Sequence, residues 1–415
     1  MPKKILKPKT TYEIVQIVKE AAIHKQKIRL IGSGHSWTPL IVSDDIFITL
    51  DDFQGVSEVD KVKKTALVKA GTKLKFLGEE LFKHGLAMEN LGDIDVQSIA
   101  GASSTGTHGT GQNLRSISNQ IIELTYINGE GELITCSEQV NPEIFSAIRV
   151  SVGSFGILCT LRLKLVESYK LNMSLFPERL DDCLKKWVQY VSQNRHFEVF
   201  MFPMSEMCLV KTMNETKVDV PNKKIERWIN DIVMENWLYG LFNRVAEKFK
   251  IYHVLARILD KFLSARTVID WSQRVFATHR SVKFYEMEYG IPAENFLECV
   301  QKIREAIKVN KFQTLFPIEI RFVKRDEIYL SPCYQRDCVY FAVHMYIAQS
   351  PTEYFTALEK IFQSYGGRPH WGKMHQANAH YLSKVYPKWN EFITLRNKSD
   401  SQKIFLNSYL TELFR

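Results

Sequence analysis

A few charged and imidazole side chains stand where they could do chemistry. Glu319-Ile320-Arg321 lies in an apolar run, and the two-residue spacing puts carboxylate and guanidinium on one face of a strand. Such a pair is either a structural ion pair or a site that grips substrate hydroxyls and a developing anion. Arg368-Pro369-His370-Trp371-Gly372-Lys373 gathers further polar groups in a loop, where functional side chains concentrate. In the N-terminal half, two histidines sit inside glycine-rich stretches. His35 belongs to Gly32-Ser33-Gly34-His35-Ser36-Trp37, directly after an apolar run. His108 belongs to the stretch from Ser98 to Gly111, with Gly101, Ser103, Ser104, Gly106, Thr107 and Gly109. Small residues let backbone N–H groups converge on an anion, and hydroxyls add donors. Gly153-Ser154-Phe155-Gly156, running into Ile157, is a third glycine-rich turn. Three such loops predict a large phosphate-bearing cofactor bound in an extended pose.

Other chemistries lack their residues. Gly32-Ser33-Gly34 starts like a dinucleotide fingerprint, but Trp37 stands where the third glycine belongs and no helix follows. There is no phosphate-binding Gly-x-x-x-x-Gly-Lys-Ser/Thr and no Gly-x-Ser-x-Gly nucleophile turn. His370 and His375 are spaced for neither one helical face nor a zinc site, so no metal is expected. Seven cysteines, none in Cys-x-x-Cys, argue against a disulfide framework and fit a reducing compartment. The net charge of +9 comes from scattered basic residues without a groove-reading motif, so nucleic acid is not an expected partner. The N-terminus has no signal-peptide apolar region, and no run of about 18 uncharged apolar residues occurs. The expectation is a cytoplasmic, non-secreted chain.

At 415 residues the chain exceeds one ordinary core, so two domains are expected. Thr10 and Glu13 form a capping box before a helix to about His24. Strands are predicted over 28–31, 46–50, 65–69 and 157–166, with a hairpin of 120–128 and 132–136 about Gly129-Glu130-Gly131. A helix follows Thr72 and ends at Gly85, and Asn141-Pro142 starts another as N-cap and first residue. Residues 98–111 read as a ligand loop without regular structure. The first 170 residues are therefore α+β, with strands in runs. Beyond them strands are predicted at 284–288, 318–322 and 339–346, and helices at 296–309 and 353–365. Residues 225–263, with Trp228, Trp237 and Phe249 among Lys and Arg, read as amphipathic helix broken near Gly240. That segment is either a packed helix pair or a basic surface that lies on a membrane.

Taken together, these motifs resemble the aldonolactone oxidoreductases and alditol oxidases of the vanillyl-alcohol-oxidase-type flavoproteins. The matching residues run nearly end to end: Gly32–Ser36, Gly106–Gly111, Gly153–Ile157, Glu288–Pro292, Glu319–Arg321, His370–Lys373 and a tail around Phe405–Leu410. The resemblance implies a vanillyl-alcohol-oxidase (PCMH-type) FAD-binding domain over residues 1–170. It implies an α+β cap domain with a mixed or antiparallel sheet over 171–415, whose segment from about 370 returns to the flavin. It further implies FAD attached covalently through His35, an imidazole suited to nucleophilic attack when neutral. The residues named in the three glycine-rich loops, His108 and Ile157 included, would bind FAD. Glu319, Arg321 and Lys373 would be catalytic in hydride transfer from a CH–OH group to flavin N5. In that scheme Lys373 and Arg321 put positive charge near the developing alkoxide, and Glu319 orients hydroxyls. The implied substrate is a sugar-1,4-lactone or an open polyol such as xylitol or sorbitol. The electron acceptor is O2, giving H2O2, or another acceptor. The reading of another class is a non-catalytic membrane-surface or scaffold protein, which would have no need of those three residues.

Overall fold

The structure is a computed structural model that describes residues 2–221, 239–277 and 282–415. Three short strands, β1 (Lys4–Leu6), β2 (Ile28–Leu30) and β3 (Ile46–Ile48), form a parallel sheet in the order β1-β3-β2. The helix Thr11–Ile23 packs by its stripe Ile14, Val18 and Ala21. Its Thr10 cap accepts from the Glu13 amide at 3.2 Å, while the Glu13 carboxylate reaches back to the Lys9 amide. A second, antiparallel sheet joins β4 (Val56–Asp60) and β5 (Thr65–Lys69) to later strands. After the two-residue β6 (Leu86–Ala87) come β7 (Ile121–Ile127), β8 (Leu133–Ser137) and β9 (Ile157–Lys164), giving the order β4-β5-β9-β7-β8. β10 (Val166–Glu167) pairs back with β6.

Two local expectations are corrected. Residues 98–111 are not loop throughout: Ile99–Ser104 is a short helix, capped by Ser98 Oγ accepting from the Gly101 amide at 3.3 Å. Hydroxyl-rich sequence hid it, because the cap and the alanines outweigh Gly101 within the helix and Gly106 after it only in context. Asn141 precedes the helix Pro142–Ile148 but does not cap it. It adopts φ +53°, and its side chain donates to the Thr135 carbonyl instead.

Residue 170 opens a different sheet. β11 (Lys170–Arg179), β12 (His196–Met201), β13 (Met207–Thr216), β14 (Arg266–Trp271), β15 (Phe284–Pro292), β16 (Ile318–Val323), β17 (Cys338–Tyr346) and β18 (Arg368–Pro369) run antiparallel. Their order is β14-β11-β13-β12-β16-β17-β15-β18. Alternation splits the central strands into two faces. One face carries Val199, Ile320, Phe341 and Tyr289 in a cross-strand row and joins an apolar core with the helices Leu180–Gln193, Phe296–Asn310 and Thr352–Ser364. The opposite face is polar: Lys211, Glu198, Arg321 and Tyr340 form one cross-strand row, and Glu319, Ala342 and Glu288 the next.

After β18 the chain returns to the first part. Trp371, Leu382, Trp389, Phe392 and Leu410 share one buried core with Ile14, Val68 and Ile157. Of the 225–263 segment, residues 225–238 lie outside the described residues. The rest forms helices Tyr239–Phe249 and Tyr252–Phe262, so the break falls at Lys250-Ile251, where Lys250 has φ +56°, and Gly240 is helical. Ala246, Tyr252 and Leu255 pack inward, while Phe249, Val254 and Phe262 are exposed. Among the described residues no helix is long and apolar enough to cross a membrane.

Candidate active site

A cleft with about 1070 Å³ of empty space, its open mouth included, runs through the first part of the molecule. Its walls are residues 29–36, the 97–105 segment with its short helix, the turns at Leu50-Asp51 and Gly71–Lys73, and Ser151–Gly156. Arg29 ties these walls together from below. Its guanidinium donates to the carbonyls of Leu40 (2.6 Å), Gly153 (3.0 Å), Val152 (2.8 Å) and Phe405 (2.6 Å). Burial pushes its pKa down to about 10. Gly34, at φ +71° with open space where a Cβ would stand, turns the loop that follows β2. The amide N–H groups of residues 32–36 donate to no protein acceptor among the described residues. Five such donors in one glycine-rich loop are left for an anion that comes within reach.

His35 is half-buried at one end of this cleft. Burial lowers its pKa, and the positive charges of Lys373 and Lys73 lower it further, so the neutral imidazole is favoured. The loop is pinned to the 370–373 segment: the Trp37 amide donates to the Gly372 carbonyl (2.9 Å), and Thr38 Oγ1 to the Trp371 carbonyl (3.1 Å). Lys373 Nζ stands 4.5 Å above the Trp37 ring and is paired with Glu286. Glu286 is fully buried, which alone would raise its pKa, but Lys373 and His344 hold it well below the usual range. The sequence therefore brings His35 and Lys373 together from positions 338 residues apart (373 minus 35).

The polar sheet face borders that end. Arg321 donates through Nε to Glu198 Oε1 (2.8 Å) and through a terminal nitrogen to Asp93 and to Glu319. Lys211 Nζ lies 3.2 Å from Glu198 Oε2 and 3.6 Å from Asp93 Oδ1. Burial opposes the charge of Arg321, but Asp93, Glu198 and Glu319 raise its pKa well above the ordinary value. The carboxylates of Asp93, Glu198 and Glu319 lie within 4.8 Å of one another, close enough to hold a cation. Here two protein cations, Arg321 and Lys211, stand among them. Beside this network, Glu288 Oε1 is 3.3 Å from His108 Nε2. Burial would raise Glu288, yet His108 and its neighbours hold it at about 2. His108 Nδ1 is 2.8 Å from the Gly109 carbonyl, and its ring lies 3.8 Å from that of Tyr340. His370, with Nδ1 accepting from the Gly372 amide, is pushed down to about 4 by burial.

The structure thus sorts the residues singled out in the sequence. Gly32, Ser33, Gly34, His35, Ser36, Gly101, Ser104, Gly153 and Gly156 line the cleft. Ser103, Gly106, Thr107, His108, Gly109, Gly111 and Ile157 do not. Ser103 and Ile157 are fully buried, Ile157 in the apolar core. Gly109 is required because a Cβ would sit 2.3 Å from the Leu91 carbonyl oxygen, and Gly111 because it adopts φ +143°. Glu319, Arg321 and Lys373 all reach the polar region beside His35. Sequence reasoning passed over Asp93, Glu198, Lys211, Glu286 and Lys73. Glu198 and Glu286 carried a usable signal, a carboxylate inside an apolar strand, the same that marked Glu319.

Comparison with known proteins agrees with this geometry. Residues 161–413 match the family model of D-arabinono-1,4-lactone oxidase, and residues 2–137 match that of an FAD binding domain. The chain is 35% identical to L-gulono-1,4-lactone dehydrogenase of Mycobacterium tuberculosis, over 98% of this chain and 95% of that protein. It is 29% identical to L-gulonolactone oxidase of Mus musculus, over 100% and 95%. Among solved structures, cholesterol oxidase from Brevibacterium sterolicum superposes with a TM-score of 0.84, covering 99% and 94% of the chains at 17% identity, a likeness of fold alone. FAD fits the cleft on its own features: the five unpaired amides of residues 32–36, the glycine-lined walls and the ammonium of Lys73 among them.

Proposed function

Because the chain belongs to the D-arabinono-1,4-lactone oxidase family and is an FAD-dependent oxidoreductase, we propose that it oxidises a CH–OH group of a sugar-1,4-lactone. Bound FAD supplies the hydride acceptor. The observation that carries the reading is the position of Glu319, Arg321 and Lys373 on a buried polar surface fastened to the His35 end of the cleft. Glu319 accepts hydrogen bonds from substrate hydroxyls and keeps Arg321 in place. Arg321 and Lys373 place positive charge where an alkoxide develops. His35, held neutral, is the covalent tether to FAD. Residues 1–170 form the FAD-binding domain and 171–415 the cap, with the segment from about 370 closing the site.

The test is purification, acid denaturation and in-gel fluorescence, followed by anaerobic flavin reduction with lactones and with xylitol and sorbitol. Chain-bound fluorescence and bleaching by a lactone support the reading. A colourless protein overturns it, and bleaching by polyols alone overturns the lactone assignment. Turnover under O2, with H2O2 formed, against turnover with an artificial acceptor decides how the flavin is reoxidised. The exposed Phe249, Val254 and Phe262, interspersed with Lys248, Arg257 and Lys261, form a surface for peripheral contact with anionic membranes. Co-sedimentation with anionic vesicles at low salt tests it, and an unbound protein there rules it out.

A further inference from the structure

The cleft contains two basic side chains besides His35, and they are not equivalent. The Arg29 guanidinium is committed to four backbone carbonyls. Lys73 also lines the cleft, one residue before the helix Leu74–Lys83. Its backbone is fixed. Lys73 is bridged to Ser98, its amide donates to Gln54 Oε1 (3.3 Å), and Gly71 before it sits so close to Leu50 that a Cβ would lie 1.9 Å from the carbonyl oxygen. Nζ is 3.0 Å from Ser33 Oγ, inside the glycine loop, and 2.8 Å from Asp51 Oδ1. Ser33 in turn donates to the Val96 carbonyl, so its lone pairs face Lys73. An ammonium has three N–H donors. Two are taken, and the third has no protein partner among the described residues. It stands beside the loop whose five amides also lack acceptors.

We propose that Lys73 is a clamp on the FAD diphosphate, adding a charge-assisted hydrogen bond to those that the unpaired amides of residues 32–36 can donate. This rests on the assignment of the cleft to FAD. Neutral amide donors attract an anion by partial charges, whereas an ammonium at 73 adds a full one. Asp51 serves as the counter-ion that holds Lys73 before the cofactor arrives. The competing role for Lys73 is only to neutralise Asp51, which also lines the cleft and would repel a diphosphate.

The experiment is carried out on the full-length chain with His35→Ala, in which flavin is held without the covalent bond, measuring FAD and riboflavin affinity by fluorescence. Adding Lys73→Met raises the FAD dissociation constant by roughly tenfold and flattens its salt dependence, while riboflavin, which has no phosphate, binds unchanged. Adding Asp51→Asn to that variant leaves most of the loss in place, and Lys73→Arg recovers most of the affinity. Restoration of full affinity by Asp51→Asn overturns the clamp in favour of neutralisation. So does an equal loss for riboflavin, or no loss for FAD. If the His35→Ala chain does not fold, the covalently flavinylated fraction of Lys73→Met alone, made under limiting flavin, is the second measure, and a wild-type fraction overturns the clamp. A wild-type chain that takes up no FAD at all overturns the cofactor assignment and the clamp with it.

Discussion

Arg321→Met tests the charge balance on which the buried polar face depends. Methionine keeps much of the aliphatic volume and deletes the guanidinium shared by Asp93, Glu198 and Glu319. Two carboxylates no more than 4.8 Å apart repel by at least about 3.5 kcal/mol at an effective dielectric constant of 20. Lys211 remains to balance one of the three, so the folded variant must take up a proton on another. Protonating a carboxylate of ordinary pKa near 4.3 costs about 3.7 kcal/mol at pH 7, which agrees with the 3–5 kcal/mol typical of breaking a buried pair. A loss of about 3–4 kcal/mol in stability is therefore expected near neutrality. The sign of its pH dependence follows. The trapped carboxyl has a folded pKa above its unfolded one, so its contribution is present at low pH and is lost as pH rises. Between pH 7.5 and 5.5 the variant should recover up to about 2.7 kcal/mol relative to wild type. Wild type lacks this term, because Arg321 keeps its charge throughout. Urea unfolding followed by tryptophan fluorescence at the two pH values measures both quantities. A gap below about 1 kcal/mol, the range of surface pairs, refutes the balancing role. An equal gap at both pH values refutes the trapped carboxyl.

His35 is depressed below the ordinary imidazole pKa by burial and by Lys373 and Lys73, so covalent incorporation of FAD should hold its rate from pH 8 down to about 6.5 and fall only below that. A rate already declining at pH 7.5 in reconstitution assays contradicts this, and His35→Ala should release all flavin on denaturation. Lys373→Met should slow anaerobic flavin reduction by roughly a hundredfold with flavin content unchanged, and an unchanged rate removes Lys373 from the chemistry. Gly71→Ala, whose Cβ would stand 1.9 Å from the Leu50 carbonyl oxygen, should cost about 1–3 kcal/mol in thermal unfolding. An unshifted melting temperature would show that the Gly71 turn yields freely.

Local signals carried most of the fold. The apolar stripe of Thr11–Ile23, the hairpin about Gly131 at φ +77°, and the helix Phe296–Asn310 are written in contiguous residues. The polar face was not, because its strands are neighbours in the order β13-β12-β16-β17-β15, which nothing contiguous encodes. Glu319 and Arg321 were legible because both lie on one strand. Glu198 is opposite Arg321, and Lys211 opposite Glu198, only through pairing, and Asp93 reaches the guanidinium from a loop of the first part of the chain. Lys73 and Asp51 lay outside any motif and matter only because the Gly71 turn packs on Leu50.

The glycine-rich stretch 98–111 shows why composition overstates ligand contact. Its first half does line the cleft, through Ser98, Ala100, Gly101, Ser104 and Thr105. Its second half fastens the two parts of the molecule to each other. The Gly111 amide donates to the Phe322 carbonyl (2.7 Å), the Phe322 amide to Thr110 Oγ1 (3.2 Å), and Thr110 Oγ1 to the Phe197 carbonyl. Phe322 is the residue after Arg321, and Phe197 the residue before Glu198. Glycines are needed there for close backbone approach, of Gly109 to the Leu91 carbonyl and of Gly111 to the Arg195 carbonyl, a demand that looks in sequence like the demand of a phosphate. The consequence is geometric. One short segment sets both a wall of the cleft and the position of the Arg321–Glu198 pair, so the distance between the two is fixed by short hydrogen bonds from Thr110 and Gly111 to strand backbone rather than by the packing of long side chains.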